Sequence, residues 1–272
     1  MALPVQKGQT EVSWSSSMNK GKADFRAVLR TLWAVYYRGL IILYLRLGKN
    51  VVSFFLSPSL YALAFGWGVG RNIQVEGVPY LAFMLPGLLA LSGMTQSFSI
   101  ATEINIARFL SHFFEEYLLS PAKNYIVVLG NVLYGVTKGI GSFLAVLVIS
   151  FVFGVGPRGG AGLIIPVLLN SFMFASLGVW IALTVRSHRD MTSFMSFVIT
   201  PMSFVAGTFF SLESLPNVFH IIAEIIPLTH ASLTIRALFL GNPIDFYHYM
   251  ILILYTILFF TMAVFRVRKA VS

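Results

Sequence analysis

Six stretches without a single lysine, arginine, aspartate or glutamate constrain this chain more than any other feature of its sequence. They run Asn50–Gly70, Gly77–Thr102, Gly139–Pro157, Ala161–Val185, Met191–Ser211 and Phe246–Phe265, the last carrying only His248. Each is close to the roughly 17–25 residues a helix needs to cross the hydrocarbon core. Barrel strands are about ten residues long and alternate in polarity, a pattern these runs lack. Only 11% of the 272 residues are charged and 57% are hydrophobic, with a mean hydropathy of +0.81. A soluble chain carries about a quarter charged residues. The expectation is an all-α integral membrane protein with six transmembrane helices, at about 50–70, 77–102, 126–157, 161–185, 191–211 and 246–265.

The basic residues are sorted between the loops. If the N-terminus is placed inside, the inside set is Lys7, Lys20, Lys22, Arg26, Arg30, Arg38, Arg46, Lys49, Arg108, Lys123, Arg186, Arg189, Arg266, Arg268 and Lys269. The outside set is Arg71, Arg158 and Arg236, which leaves Lys138. This bias predicts both termini in the cytoplasm. It also accounts for the net charge of +9 without nucleic acid as a partner. There is no cysteine, so disulfides and thiolate sites are excluded. The polar segment 1–21 reads as a disordered cytoplasmic N-terminus with no signal peptide.

Three segments are not spans. Lys22, Arg26 and Arg30 share one face of a helix while Phe25, Val28, Leu32 and Tyr36 lie roughly opposite, so 22–49 reads as an amphipathic interfacial helix. Residues 103–123 (EINIARFLSHFFEEYLLSPAKNY, to Tyr125) read as a short cytoplasmic helix ending at Ser120-Pro121, either solvated or docking a partner. Residues 212–245 are apolar for an exterior loop. Glu213, Glu224, Arg236, Pro216 and Pro227 divide them into pieces too short to cross, which predicts re-entrant half-helices and a candidate exterior gate.

No span carries a catalytic or metal constellation, no GxxxxGK[ST] phosphate loop is present, and no acid lies within an uncharged run. These absences argue against an enzyme, against ATP binding by this chain and against proton coupling. Lys138 precedes the third uncharged run; it either snorkels to the cytoplasmic interface or faces a translocation path. Met94, Phe98, Phe204, Phe209 and Phe210 belong to an aromatic and methionine-rich set that reads as packing or as a greasy path for an amphiphile. Gly135 and Gly139 have the spacing of close helix contacts, and Pro58, Pro86, Pro166 and Pro201 are expected to kink spans.

The order of these elements, with EEYLLSPAKNY after the second span and TPMSFVAGTFFSLESLP leading to IIPLTHASLTIRALFLG after the fifth, resembles the permease subunit of type-2 ABC exporters. NVVSFFLSPSLYALAFGWGVG and YLAFMLPGLLALSGMTQSFS are similar to the branch of nodulation-factor and daunorubicin-type exporters, over about residues 25–268. The resemblance implies a permease homodimer in a bacterial cytoplasmic membrane, with two copies of a separate ATPase subunit that carry ATP and Mg. It implies an ATPase-docking coupling helix at Ala107–Ser120, involving Arg108, Phe109, His112, Phe113, Glu115, Glu116, Leu118 and Pro121. It implies an N-terminal helix clasping the ATPase through Phe25, Arg26, Arg30 and Trp33. Glu213, Pro216, Glu224, Pro227 and Arg236 would form the exterior gate. The substrate would be an amphiphile: drug, lipid or lipid-linked glycan. A polysaccharide or O-antigen-type exporter, similar in topology, is the alternative. A secondary transporter or channel is the reading from a different class.

Overall fold

The computed structural model describes residues 15–70, 72–109, 124–214 and 216–271. Helix α1, Ser15–Leu45, passes at Arg46 into α2, Leu47–Tyr61, which continues as a π-helical stretch, Ala62–Val69. A two-stranded hairpin follows, β1 Gln74–Val75 against β2 Val78–Pro79, with Glu76 and Gly77 at positive φ in its turn. Helix α3, Tyr80–Phe98, breaks at Ser99 and resumes as α4, Ile100–Phe109. Helix α5 spans Asn124–Val152 and α6 Ile164–Thr184. Helix α7, His188–Phe194, runs through a π segment, Met195–Ile199, into α8, Thr200–Val205. Helices α9, Asn217–Ile225, and α10, Pro227–Leu240, meet at 91°. Helix α11, Phe246–Val271, closes the chain.

Four long helices, Tyr80–Phe109, Tyr125–Val152, Gly160–Thr184 and Phe246–Val267, are apolar enough to cross a membrane, and the bent pair α9–α10 qualifies if taken as one span. The stretches expected as the first and fifth spans hold α2 with its π stretch and α7–π–α8, which are not among the helices long and apolar enough to cross. In the second a proline accounts for the interruption: Pro201 has no N–H to give, and the π turn lies just before it, where its ring would crowd the ladder. In the first the π stretch begins after Pro58, whose ring lies against the preceding turn. Pro166 lies in the first turn of α6, where its N–H would be unused, so it starts that helix and does not kink it. Pro86 is carried inside an unbroken α3.

Arg26–Leu45 is also long and apolar enough to cross. Its position argues otherwise. Val35, Arg38, Gly39 and Ile42 border Ile100–Ala107 of α4 and Asn131 and Tyr134 of α5. Helix α2 starts from this same end of the bundle and climbs past Gln96 to Leu81, as the Ser53–Gln96 bond and the Gly66–Leu81 contact show. Helix α1 therefore lies along one end. Arg46, Arg108, Arg186 and Arg266 fall at that end too, and it is called the basic end below. There Arg108 donates to the carbonyls of Ala182 and Val185, and Arg266 to that of Leu183, capping the end of α6.

The core sits where α3, α5, α6 and α11 pack. Phe83, Met84, Leu88, Met94, Phe98 and Phe174 are almost fully buried in it. Gly135 and Gly139 of α5 lie at the closest approach. A Cβ on Gly135 would come 2.6 Å from Ala175 Cβ, and one on Gly139 would come 2.3 Å from both Ser171 Oγ and Ser97 Oγ. Without a water-to-oil driving force inside the bilayer, such close contact supplies much of helix association. Gly139→Leu is expected to force these helices apart and destabilise the fold by about 1–3 kcal/mol or more. A lower thermal midpoint in detergent than wild type checks this.

Candidate functional site

A cleft of about 300 Å³ opens between α2, α3 and the α7–α8 helix. Ser53, Ser57, Pro58 and Tyr61 line it from α2, and Leu91, Ser92, Thr95 and Gln96 from α3. Met195, Ile199, Thr200, Ser203 and Phe204 come from the π segment and α8, with Phe209 just beyond and Ser142 of α5 at the back. Among the described residues, none that lines it is charged. Ser53 and Ser57, Ser92 with Thr95 and Gln96, and Thr200 and Ser203 are three or four residues apart, so each helix turns one hydroxyl-bearing stripe toward the cleft. The Gln96 amide donates to Ser53 Oγ at 3.0 Å, while the buried Ser142 hydroxyl has no partner. Away from the basic end the cleft is closed by aromatics. Phe209 stands 5.3 Å from Tyr61, 5.6 Å from Phe65 and 5.9 Å from Phe204 between ring centres.

The expected path residues divide. Phe204 and Phe209 line the cleft, and Phe210 adjoins them half-buried. Met94 and Phe98, at 0% and 1% exposure, face the core instead. They are not among the residues that line this cleft. Lys138 neither snorkels nor faces the cleft. It is 3% exposed and its Nζ lies 2.8 Å from Glu103 Oε1. The helix Tyr80–Phe109 carries Glu103 beyond the end of the uncharged run, so an acid does belong to an apolar helix.

At the end opposite the basic one, Arg236 is 4% exposed. Its Nη2 donates to Gly207 O at 2.6 Å, its Nε to Phe83 O at 3.2 Å, and its guanidinium lies 3.9 Å from the centre of the Phe83 ring. It therefore ties α10 to α3 and to the turn after α8. Pro216 caps α9 and Pro227 opens α10, as the half-helix reading requires. Glu213 and Glu224 are exposed, Glu224 lying 3.9 Å from His220 on its own helix. The outward face of α9 is apolar, with Val218, Ile221 and Ile225 each more than 60% exposed.

The 91° bend leaves carbonyls of α9 without helical partners, and two side chains that sequence reasoning did not single out serve them. His230 Nε2 donates to Glu224 O at 2.8 Å and Tyr255 Oη donates to Ile225 O at 2.8 Å. His230 Nδ1 then accepts from His248 Nδ1 at 2.9 Å, and His248 Nε2 lies 3.6 Å from Asp245. Of the remaining expected residues, Arg26, Arg30 and Trp33 are exposed on α1, with Trp33 stacked on Tyr37. The side chain of Phe25 lies outside the described residues. So do His112, Phe113, Glu115, Glu116, Leu118 and Pro121, whereas Arg108 and Phe109 end α4 with the guanidinium 4.9 Å from the Phe109 ring centre.

Arg236→Met is expected to strand two or three buried carbonyls and to cost about 2 kcal/mol or more. Glu213→Ala, at an exposed position, should stay within about 0.5 kcal/mol of wild type. Thermal unfolding of the two variants in detergent separates these outcomes.

The family profile described as ABC-2 type transporter matches residues 24–240. Nodulation protein J of Rhizobium meliloti (strain 1021) is 28% identical over 198 residues, covering 72% of this chain and 76% of that protein. Nodulation protein J of Neorhizobium galegae is 29% identical over 220 residues, covering 79% and 84%. The inner membrane transport permease YadH of Escherichia coli (strain K12) is 24% identical over 218 residues, covering 78% and 83%. The long apolar helices, the bent helix pair and the profile match agree: the chain belongs to the ABC-2 type transporter family and is a membrane permease.

Proposed function

We propose that this permease moves an amphiphilic substrate out of the cytoplasm along the cleft between its first and fifth spans. A partner ATPase supplies the energy. The observation that carries this reading is the lining of the cleft. An uncharged wall of hydroxyls and one amide suits the polar part of an amphiphile, and the aromatic cluster of Tyr61, Phe65, Phe204 and Phe209 suits its apolar part. The cleft is bordered by two helices loosened by π turns, where the backbone ladder shifts most readily.

The energy source lies outside the chain, since the sequence has no phosphate loop. The segment between α4 and α5 is then the ATPase-docking element, with Glu115 and Glu116 as its acidic contacts. Helix α1, lying along the basic end, would clasp the same partner through Arg26, Arg30 and Trp33. Two permeases and two ATPases form the working unit. The arginine-rich end faces the cytoplasm, as the basic-residue bias requires. The apolar face of α9 dips into the outer leaflet.

Glu115→Ala with Glu116→Ala is expected to reduce ATPase copurification about thirtyfold, the loss typical of interface hot spots. ATP-driven efflux of a fluorescent amphiphile should disappear while the permease still folds. Normal copurification and efflux by the double variant would contradict the docking assignment.

A further inference from the structure

Helix α10 brings His230 under the bend that joins it to α9, and α11 brings His248 to meet it. His230 is 0% exposed. Its Nε2 faces the carbonyl oxygen of Glu224 at 2.8 Å, and a carbonyl can only accept, so that nitrogen carries a proton. Nδ1 of the neutral ring then offers a lone pair to the Nδ1–H of His248 at 2.9 Å. On its far edge His248 Nε2 lies 3.6 Å from Asp245 Oδ2. Asp245 is held in place at the start of α11, where its Oδ1 accepts from the Tyr247 amide at 2.9 Å. The Asp245 side chain is 63% exposed and that of His248 19%, so the row runs from the surface to a fully buried ring.

Serving the bend needs only one donor to Glu224 O. It does not need a second histidine and a carboxylate in line, so the row has another use. Counting protons shows what that use is. With no added proton, His248 donates to His230. One added proton sits on His248 Nε2, facing Asp245, and every bond is kept. A second puts an N–H on both Nδ1 atoms at 2.9 Å, where neither can accept. The central bond is then lost, and two cations stand with ring centres 5.1 Å apart against one facing carboxylate.

The other groups around His230 do not offset this. Helix α9 presents Glu224, whose carboxylate turns to His220 at 3.9 Å. Helix α11 adds Tyr247 and Tyr255, with ring centres 6.2 and 6.3 Å from His230. Among the other elements packed against α10, α3 carries only Tyr80, which is bonded to Phe209 O. Helices α6 and α8 and the turn Gly160–Leu163 carry no ionisable side chain. Arg236, six residues along α10, is engaged by carbonyls, and Arg158 meets the far end of that helix at Phe239 and Gly241.

We infer that His230 and His248 form a proton-operated latch: with at most one added proton they keep the start of α11 against the α9–α10 bend, and a second proton, arriving past Asp245, lets it swing away. Tyr255, seven residues on, stays tied to Ile225 O, so the start of α11 pivots about that bond. The latch reads exterior acidity, which rests on the orientation proposed above.

The test uses the full chain in liposomes with all copies facing one way. Because the chain has no cysteine, Ile222→Cys on α9 and Met250→Cys on α11, both exposed, accept a pair of nitroxides. Labelled copies are diluted with the cysteine-free chain, and double electron–electron resonance reads the distance within one chain with pH set separately on each side. Lowering the exterior pH from about 7.5 to about 5, the range in which histidine gains charge, should lengthen it by about 2 Å or more, an ordinary helix shift. His248→Gln keeps an amide that can donate to His230 or accept from it but cannot gain a charge, so its distance should stay at the native neutral value throughout. A native distance that pH on neither side moves overturns the latch. So does a change that persists undiminished in His248→Gln, which would place the sensitivity in Glu224, Asp245 or His220. A change abolished by His248→Gln but answering only to pH on the arginine-rich side overturns the exterior reading through the orientation, a result distinct from an unresponsive pair.

Discussion

Inside a bilayer no water is available to backbone amides and carbonyls, and the rest of this structure follows from that constraint. It imposes long helices, and it makes every interruption of a helix an obligation to be met locally. The bend between α9 and α10 is met by His230 and Tyr255, which take up the carbonyls of Glu224 and Ile225. The turn after α8 is met by Arg236, which collects carbonyls from two elements. The same constraint explains where charge is found. Arginines gather at one end and cap α6, while Lys138, buried inside an apolar helix, is matched by a glutamate from its neighbour.

The irregularities are arranged around one region. Both π segments border the cleft or continue a helix that does. A rigid bundle of α3, α5, α6 and α11, closed by glycine contacts at Gly135 and Gly139, carries α2 and α7–α8 against it. The bundle thus supplies a fixed wall and the interrupted helices a deformable one. A permease that changes access to its cleft needs both, since close-packed cores do not deform continuously.

The long apolar helices were legible because charge is expensive at membrane depth, so its absence marks them directly. The half-helices were legible because Pro216 and Pro227 punctuate an apolar stretch. The cleft was not legible. Serine and threonine count for little in a hydropathy reading, and an apolar run hides the fact that Ser53, Ser57, Thr95, Thr200 and Ser203 fall on facing stripes. Their three- and four-residue spacing was the available signal. Composition also cannot separate a side chain that packs in the core, as Met94 and Phe98 do, from one that lines a cleft, as Phe204 and Phe209 do. The Glu103–Lys138 pair joins residues thirty-five positions apart, on helices whose packing no local pattern reports. His230 and Tyr255 were overlooked because their partners are backbone carbonyls exposed only once the bend exists.

The central claim is that substrate passes through the hydroxyl-lined cleft under power from a partner subunit. It is tested most directly by filling the cleft in reconstituted permease–ATPase vesicles. Ser203→Phe places a ring in the cleft without touching the docking segment or the Glu103–Lys138 pair. ATP-dependent flux of a fluorescent amphiphile should be lost while ATPase binding and hydrolysis persist. Undiminished ATP-driven flux through the filled cleft, or flux by the chain alone down an ion gradient, would contradict the account.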